Sequence, residues 1–153
     1  MSKSDPREIQ DLVEAVQAFE LVEVVAYEHS GKRVPIASDE AGGTAPGSEL
    51  EVMVRHAVGG IETRFRMTAT APGMELASDV GVVSKAEDCV LAEHLLPDFL
   101  EEIGIMAAYP YLREGTSTSA VRLGLPAPTP GVASSRTVHS PRHRRSTRQR
   151  PGR

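Results

Sequence analysis

The sequence is poor in cysteine and in aromatic residues, and each shortage excludes a class of structure. A single cysteine, Cys89, excludes an internal disulfide and a zinc site built from several cysteines. Tryptophan is absent, and phenylalanine and tyrosine occur three times each. The chain has 153 residues, 40% of them hydrophobic, which is enough for one domain of ordinary size. Its core must therefore consist mainly of valine, leucine, isoleucine, methionine and alanine.

Long apolar segments are also missing. The longest nearly uncharged apolar run, residues 103–112, is too short to cross a bilayer, which needs about 20 residues. Residues 1–17 contain no continuous apolar stretch of the kind found in a secretory signal peptide. We therefore expect a soluble, cytoplasmic protein without membrane insertion.

Basic charge is scarce in most of the chain and concentrated at its end. Residues 1–132 contain ten Lys and Arg against all 21 Asp and Glu, whereas residues 133–153 contain seven Arg and no acidic residue. The terminal segment is rich in Ser, Arg and Pro and shows no hydrophobic periodicity, which is typical of disorder. The prediction is an acidic domain, 1–132, followed by a disordered arginine-rich tail, 133–153.

The role of this tail is open from the sequence. Its arginines could contact nucleic-acid phosphates, shield the acidic domain, contact anionic lipid or have no dedicated role. One hypothesis is accordingly a small binding module whose tail contacts nucleic acid. Nucleic acid is nevertheless the less favoured partner, because a run of charge alone rarely discriminates between these roles.

The first half of the chain predicts one helix and four strands. Residues 5–8 resemble a helix start, with Asp5 as N-cap, and the apolar residues at 9, 12, 13 and 16 then share one helical face. Residues 19–29 are rich in strand-forming residues and precede a loop with many Gly and Pro residues.

A hairpin is the clearest element of the sequence. Residues 49–57 and 61–70 alternate apolar and polar side chains on either side of Gly59-Gly60. Residues 74–84 are a plausible fourth strand, which Gly81 weakens. One apolar and one polar face are expected of an antiparallel sheet that covers a core on one side.

The second half predicts helices. Residues 85–95 and 98–108 are two short helical stretches separated by Pro97, and residues 110–122 are a third candidate. The middle of the third, Gly-Thr-Ser-Thr-Ser at 115–119, is poor helix sequence. The fold class is therefore α+β, with a four-stranded antiparallel sheet and helices packed on one face.

No catalytic or cofactor site emerges from the sequence. His29, His56 and His94 have no partner at metal-ligand spacing, and His94 is not on the same helical face as Cys89. The glycine pairs lack the Lys-Ser/Thr partner of a phosphate-binding loop. We therefore predict that the protein is not an enzyme and uses neither a cofactor nor a metal.

A short motif provides a resemblance to a known family. The segment Tyr-Pro-Tyr-Leu-Arg-Glu at 109–114 resembles the [F/Y]-P-Y-x-R-E sequence that opens the long helix of the SecB export-chaperone family. In that family, as predicted here, the motif follows four antiparallel strands, with a Gly/Pro-rich crossover loop after the first. The motif residues are Tyr109, Pro110, Tyr111, Arg113 and Glu114. Taken alone, Pro110 would occupy the first helical position and hold Tyr109 in extended geometry, giving a rigid aromatic corner.

The resemblance implies a molecular chaperone. SecB-like proteins are tetramers that hold unfolded precursor proteins in apolar grooves, keep them competent for export by the Sec pathway and deliver them to the SecA motor. By this resemblance, we expect a homotetrameric holdase whose clients are unfolded preproteins. The expected groove residues lie in the crossover loop and at the start of the helix: Val34, Ile36, Tyr109, Tyr111 and Leu112.

Two departures from the family pattern favour a variant of this function. Where the family presents an apolar and an acidic residue for SecA docking, this sequence has Arg66 and Thr68. Where the family often ends in an acidic segment, this tail is rich in arginine. SecA is therefore only one candidate partner, and a SecB-like chaperone dedicated to the antitoxin of a toxin–antitoxin pair is an alternative.

Overall fold

The computed structural model describes residues 5–36 and 47–127 and the backbone of residues 136–139. Along the chain, these residues form the following elements: β1 (Arg7–Ile9), α1 (Leu12–Ala18), β2 (Glu20–Arg33), β3 (Gly47–Ala57), β4 (Gly60–Ala71), β5 (Met74–Lys85), β6 (Cys89–Leu91), a 3-10 turn (Glu93–Leu95), α2 (Leu96–Phe99), a π-helical segment (Leu100–Ile105), α3 (Met106–Arg122) and β7 (Arg136–His139). Of the predicted disordered tail, 133–153, everything except this last strand lies outside the described residues.

Four long antiparallel strands form the centre of the fold. They pair in the order β2-β5-β4-β3, and β7 adds to the outer side of β3 in parallel orientation. The predicted four-stranded antiparallel sheet is confirmed. The predicted hairpin is β3 and β4, whose tight turn is Val58-Gly59 rather than two glycines, with Gly59 at a φ of 87° that favours glycine.

Gly81 does not weaken β5, because it makes room for an aromatic ring. A Cβ atom at this position would lie 2.6 Å from Cε2 of Tyr27 on the neighbouring strand β2. The ring of Tyr27 thus packs directly over the backbone of β5, on the side of the sheet away from the helices. A glycine within a strand can mark such a close approach of another group.

The N-terminal prediction is wrong in its boundary. Residues 7–9 form strand β1, which pairs in parallel with β6, and the helix begins at Leu12. Asp11 is the N-cap, since its Oδ1 accepts a hydrogen bond of 2.9 Å from the backbone N–H of Glu14. Burial explains the strand, because Ile9 and its partner Leu91 are 0% and 1% exposed and complete the core at this end.

The helical half begins later than predicted and is continuous. Residues 89–91 of the first predicted helical stretch form β6 instead. Pro97 does not separate two helices, because it lies in the first turn of α2, where a missing N–H is tolerated. From Glu93 to Arg122 the chain is helical throughout, changing from 3-10 to α to π and back to α geometry.

The core lies between the helices and one face of the sheet. Phe65 and Val80 from the sheet pack with Phe99 and Leu112 from the helices, all at most 2% exposed. At one end of this layer, the rings of Phe19 and Phe99 meet edge to face with centroids 5.5 Å apart. The arrangement confirms helices packed on one face of an antiparallel sheet.

Candidate binding surface

Helix α3 packs on the sheet through its smallest residues. Gly115 lies over the side chains of His29 in β2 and Ser78 in β5, where a hydrogen bond of 2.9 Å joins His29 Nδ1 and Ser78 Oγ. Thr116 is 1% exposed, and its hydroxyl donates to the carbonyl of Leu112 at 3.1 Å and to that of Arg113 at 2.9 Å. The segment with poor helix propensity is thus helical because close packing and satisfied hydroxyl groups stabilise it.

The C-terminal end of α3 is fixed to the end of β2. The guanidinium of Arg33 donates to the carbonyl of Leu123, with Nε at 2.9 Å. Gly31 faces Ser119 and Leu123, as Gly115 faces His29. Helix α3 therefore runs along β2 in a defined direction, with Gly115 at His29 and Leu123 at the strand's end.

An apolar groove opens where α1 and the start of β2 face the helices. It has a volume of about 640 Å³ and is lined by the following residues: Val16, Gln17, Ala18, Phe19, Glu20, Leu21, Glu102, Ile103, Met106 and Ala107. Val16 and Leu21 are 40% and 44% exposed, and Met106 is 70% exposed. Phe19 is only 3% exposed, so this ring belongs to both the groove and the core.

Seven of the ten residues that line the groove are apolar, and Gln17, Glu20 and Glu102 are polar. Exposed apolar surface of this kind, with polar residues at its rim, is typical of an interaction site. Glu20 and Glu102 provide the acidic rim, and the flexible thioether of Met106 can adapt to different partners. Tyr109, one helical turn beyond Met106, extends this surface and is 38% exposed.

The structure does not bring the predicted groove residues into one site. Val34 and Ile36 follow β2 and lie against Gly73, in the turn between β4 and β5. Tyr109 and Tyr111 lie at the other end of α3, about 20 Å away along a helix that rises 1.5 Å per residue. Sequence reasoning named the tyrosine end of the surface but missed Val16, Leu21 and Met106.

Individual residues of the predicted set differ in exposure. Ile36 and Tyr111 are 69% and 44% exposed and can meet a partner, and Val34 is half-buried. Leu112 is 2% exposed and belongs to the core, so its assignment to a groove is a correction. The reason is helical geometry, because Leu112 lies on the sheet side of α3 whereas Tyr109 and Tyr111 do not.

The predicted aromatic corner is also corrected. Pro110 is not at the first helical position, since α3 begins at Met106 and includes both Tyr109 and Pro110. Tyr109 is therefore helical and not extended. Pro110 leaves the carbonyl of Met106 without its usual intrahelical donor, and the packing of α3 on the sheet stabilises the helix nevertheless. Arg113 and Glu114 are exposed on this helix.

The outer face of the sheet carries a charged cluster, which we call the Asp79 cluster: Tyr27, Glu28, Arg64, Arg66 and Asp79. The Asp79 carboxylate is 1% exposed and accepts two hydrogen bonds of 2.8 Å from Arg64. The Arg64 guanidinium lies 4.5 Å from the centroid of the Tyr27 ring. The hydrogen bonds to Asp79 raise the pKa of Arg64, so that this side chain remains a cation.

Arg66 links the rest of the cluster. Its Nη1 lies 2.9 Å from Glu28 Oε2 and 3.4 Å from Asp79 Oδ2. The Ser30 hydroxyl, and after it Arg66, lowers the pKa of Glu28. Arg66 and Thr68, where the SecB family pattern has an apolar and an acidic residue, are thus only partly exposed, and Arg66 is engaged within the chain.

The described residues meet neither the requirements of a metal site nor those of a membrane-spanning helix. Within residues 5–36 and 47–127, no group of three His, Cys, Asp or Glu side chains is arranged to hold a metal ion. In the same part of the chain, no helix combines the length and apolar character needed to span a membrane.

Comparison with known proteins identifies the family. The SecB-like chaperone SmegB of Mycolicibacterium smegmatis is 35% identical to this chain over 120 residues, which are 78% of each protein. The chain belongs to the SecB-like chaperone family. The resemblance inferred from residues 109–114 is confirmed.

A solved structure shows the same fold as this SecB-like protein. The SecB-like chaperone Rv1957 of Mycobacterium tuberculosis, in complex with a ChAD peptide from the Rv1956 HigA1 antitoxin, superimposes with a TM-score of 0.55. The match covers 78% of this chain and 94% of that one, at 14% identity. No protein-family model matches the sequence. Both relatives are chaperones by name.

Proposed function

We propose that this SecB-like protein is a holdase that binds extended apolar segments of unfolded proteins in the groove between α1 and α3. The observation that carries the proposal is the exposure of Val16, Leu21 and Met106 around one depression. Side chains of a folded domain are normally buried when they are this large and lie together. A client segment that covers them would remove their apolar surface from water.

The chemistry of the groove suits clients of varied sequence. Apolar contact is non-directional, so it selects for hydrophobic side chains without demanding one sequence. Met106 adds adaptability, and the acidic rim at Glu20 and Glu102 favours segments with basic residues beside the apolar ones. Binding of this kind needs neither a nucleophile nor a cofactor. We therefore propose that the protein is not an enzyme.

Replacing Met106 by aspartate is expected to weaken client binding strongly. A carboxylate in the groove would have to lose its hydration when an apolar segment binds, and this cost should weaken binding at least about tenfold, or about 1.4 kcal/mol. The measurement is light scattering of a chemically denatured client protein at increasing chaperone concentration. Because Met106 is 70% exposed in the free chain, the variant should fold normally.

Val121 provides a matched control for this experiment. It lies on the same helix and is 68% exposed, but it does not line the groove. Val121→Asp should suppress aggregation as the unchanged protein does. Equal activity of the two variants would contradict the proposal. Loss of activity together with a lower oligomeric mass would also contradict it, because the groove would then be a contact between subunits.

A dedicated antitoxin client is the second candidate function. It is favoured by the complex of Rv1957, which contains a ChAD peptide from an antitoxin. A dedicated chaperone should protect one antitoxin far better than unrelated denatured proteins. The measurement is suppression of aggregation, compared between an antitoxin and several unrelated client proteins. Equal protection of all of them would support only the general holdase.

We further propose that the holdase is a cytoplasmic homotetramer that keeps preproteins competent for the Sec pathway. The family relationship supports this assignment, whereas Arg66, engaged with Glu28 and Asp79, does not favour SecA as a partner. Mass measurement in solution tests the tetramer. Binding to purified SecA tests the handover, and its absence would leave the holdase without a role in export.

A further inference from the structure

The last described strand occupies the outer edge of the sheet. Strand β7 pairs in parallel with β3, with Arg136 opposite Leu50 and His139 opposite Met53. Without β7, strand β3 would be the edge of the antiparallel sheet, and one row of its backbone N–H and C=O groups would be free to pair. Four residues from a segment of otherwise low hydrophobicity therefore cover this edge.

The sequence of residues 136–139 favours a short strand, and a proline follows shortly after it. Thr137 and Val138 are residues that favour strands. Pro141 follows two residues after the strand and cannot donate to a ladder, so the pairing cannot continue far. A four-residue strand makes few hydrogen bonds and is expected to be weakly held on its own.

The connection between α3 and β7 compensates for the few hydrogen bonds of this strand, because it keeps the strand close to β3. Leu125, three residues after the end of α3, packs against the cluster of Ala69, Met74, Leu76 and Ala120, which includes β4, the neighbour of β3. Residues 128–135 then connect to β7, and nine extended steps can cover about 30 Å. Two strand spacings, about 10 Å, separate β4 from β7. A short tether of this kind gives the tail an effective concentration in the millimolar range, which a free peptide rarely reaches.

Charge complements the pairing. Strand β3 carries Glu51, which pairs with Thr137, and Glu49, one residue before the paired stretch, within a domain that is strongly acidic, whereas the tail contains seven arginines and no acid. Opposite charge on the two partners favours their encounter and selects a basic strand over an acidic one. The edge therefore suits an extended peptide with basic residues.

We propose that the outer edge of β3 is a docking site for a basic, extended peptide in parallel register, and that Arg136–His139 is its removable cover. The site is separate from the groove, which adjoins β2 at the opposite edge of the sheet. Uncovering the edge allows another protein's extended basic segment to pair there. The chain's own tail thus regulates access to the sheet edge.

The test introduces proline into β7, because proline has no backbone N–H to donate to β3. Successive residues of a strand point their N–H groups to opposite sides, so Thr137→Pro/Val138→Pro removes one of the two donors that face β3, whichever pair of residues carries them. Ser146→Pro/Thr147→Pro makes the same two changes beyond the strand and is the control. The probe is a fluorescent peptide with the sequence of residues 133–141, and its anisotropy is measured with each full-length protein.

The double proline variant at 137 and 138 should bind the peptide at least about tenfold more tightly than the control variant or the unchanged chain. Hydrogen exchange of residues 47–57 should be faster in that variant and slow again when peptide is added. Equal peptide binding by both variants, or unchanged exchange in β3, would overturn the proposal. Suppression of client aggregation is measured in parallel, so that failure of the holdase and failure of the edge site can be told apart.

Discussion

Replacing Gly115 by leucine is expected to lower the free energy of unfolding by about 3 kcal/mol, because overpacking a close contact forces side chains and backbone apart. Even a Cβ atom at this position would lie 2.0 Å from Nδ1 of His29 and 2.6 Å from Oγ of Ser78. The side chain would separate α3 from β2 and β5, the two strands it covers. For a chain of this length, such a loss lowers the melting temperature by about 6–12 °C.

The series at Gly115 can separate crowding from helix propensity. Gly115→Ala should destabilise the unchanged protein, although alanine favours a helix by about 1 kcal/mol over glycine. In the background His29→Ala/Ser78→Ala, the three atoms nearest to the new methyl group are gone, and the same substitution should become neutral or stabilising.

Thermal and denaturant unfolding, followed by circular dichroism, measure each step of this series. Thr118→Leu, on the exposed side of the same helix, is the control and should change the unfolding free energy by less than about 0.5 kcal/mol. If Gly115→Ala stabilises the unchanged protein, the contact with His29 and Ser78 does not limit the packing of α3.

The strands of this fold were predictable because their pattern is local. The alternation of residues in β3 and β4 indicated both strands and the turn between them. The pattern predicts even β5, although Gly81 argues against a strand there. The reason for Gly81 lies 54 positions earlier in the chain, in the ring of Tyr27, and no local pattern contains that information.

The errors occurred where a tertiary contact outweighs local preference. Residues 5–8 have the chemistry of a helix start, but burial of Ile9 beside Leu91 selects a strand. Residues 115–119 have poor helix propensity, yet small side chains are what the close approach of α3 to the sheet requires. Propensity is a weak preference, and packing on a sheet can exceed it.

The candidate groove could be predicted only in part for the same reason. The motif at 109–114 indicated the family and placed Tyr109 on the surface that continues from the groove. Val16 and Leu21 lie more than 80 residues before Met106, and the helical and strand patterns of the sequence do not show that their elements meet. The sequence pattern places Val16 in an apolar helical stripe, which predicts a core position rather than a 40% exposed side chain.

Replacing Asp79 by asparagine is expected to lower the free energy of unfolding by about 2 kcal/mol. The carboxylate is 1% exposed, and an asparagine of the same shape cannot accept both hydrogen bonds of Arg64, since one of its two groups is a donor. Removing one partner of a fully buried pair costs about 3–5 kcal/mol. The cost here should be smaller, because Arg64 is 45% exposed and water can solvate its freed guanidinium.

The chain contains a matched comparison for this substitution. Arg55 and Glu62 form a cross-strand pair on the same face of the sheet, but their side chains are 71% and 52% exposed. Glu62→Gln should therefore cost at most about 0.5 kcal/mol in the same denaturant unfolding experiment. Equal effects of Asp79→Asn and Glu62→Gln would show that burial of the Asp79 carboxylate does not strengthen its pairing.

A double-mutant cycle then assigns the effect within the Asp79 cluster. If Arg64 is the main partner, Asp79→Asn should cost much less in an Arg64→Met background, with a coupling of about 1–2 kcal/mol. Coupling to Arg66→Met should be weaker, because Arg66 is 3.4 Å from Asp79 and also binds Glu28 at 2.9 Å. A larger coupling to Arg66 would mean that the cluster is centred on the β4 position where the SecB family pattern has an apolar or acidic residue. The stability of the sheet's outer face would then depend on Arg66, the residue that distinguishes this chain from the SecB family pattern.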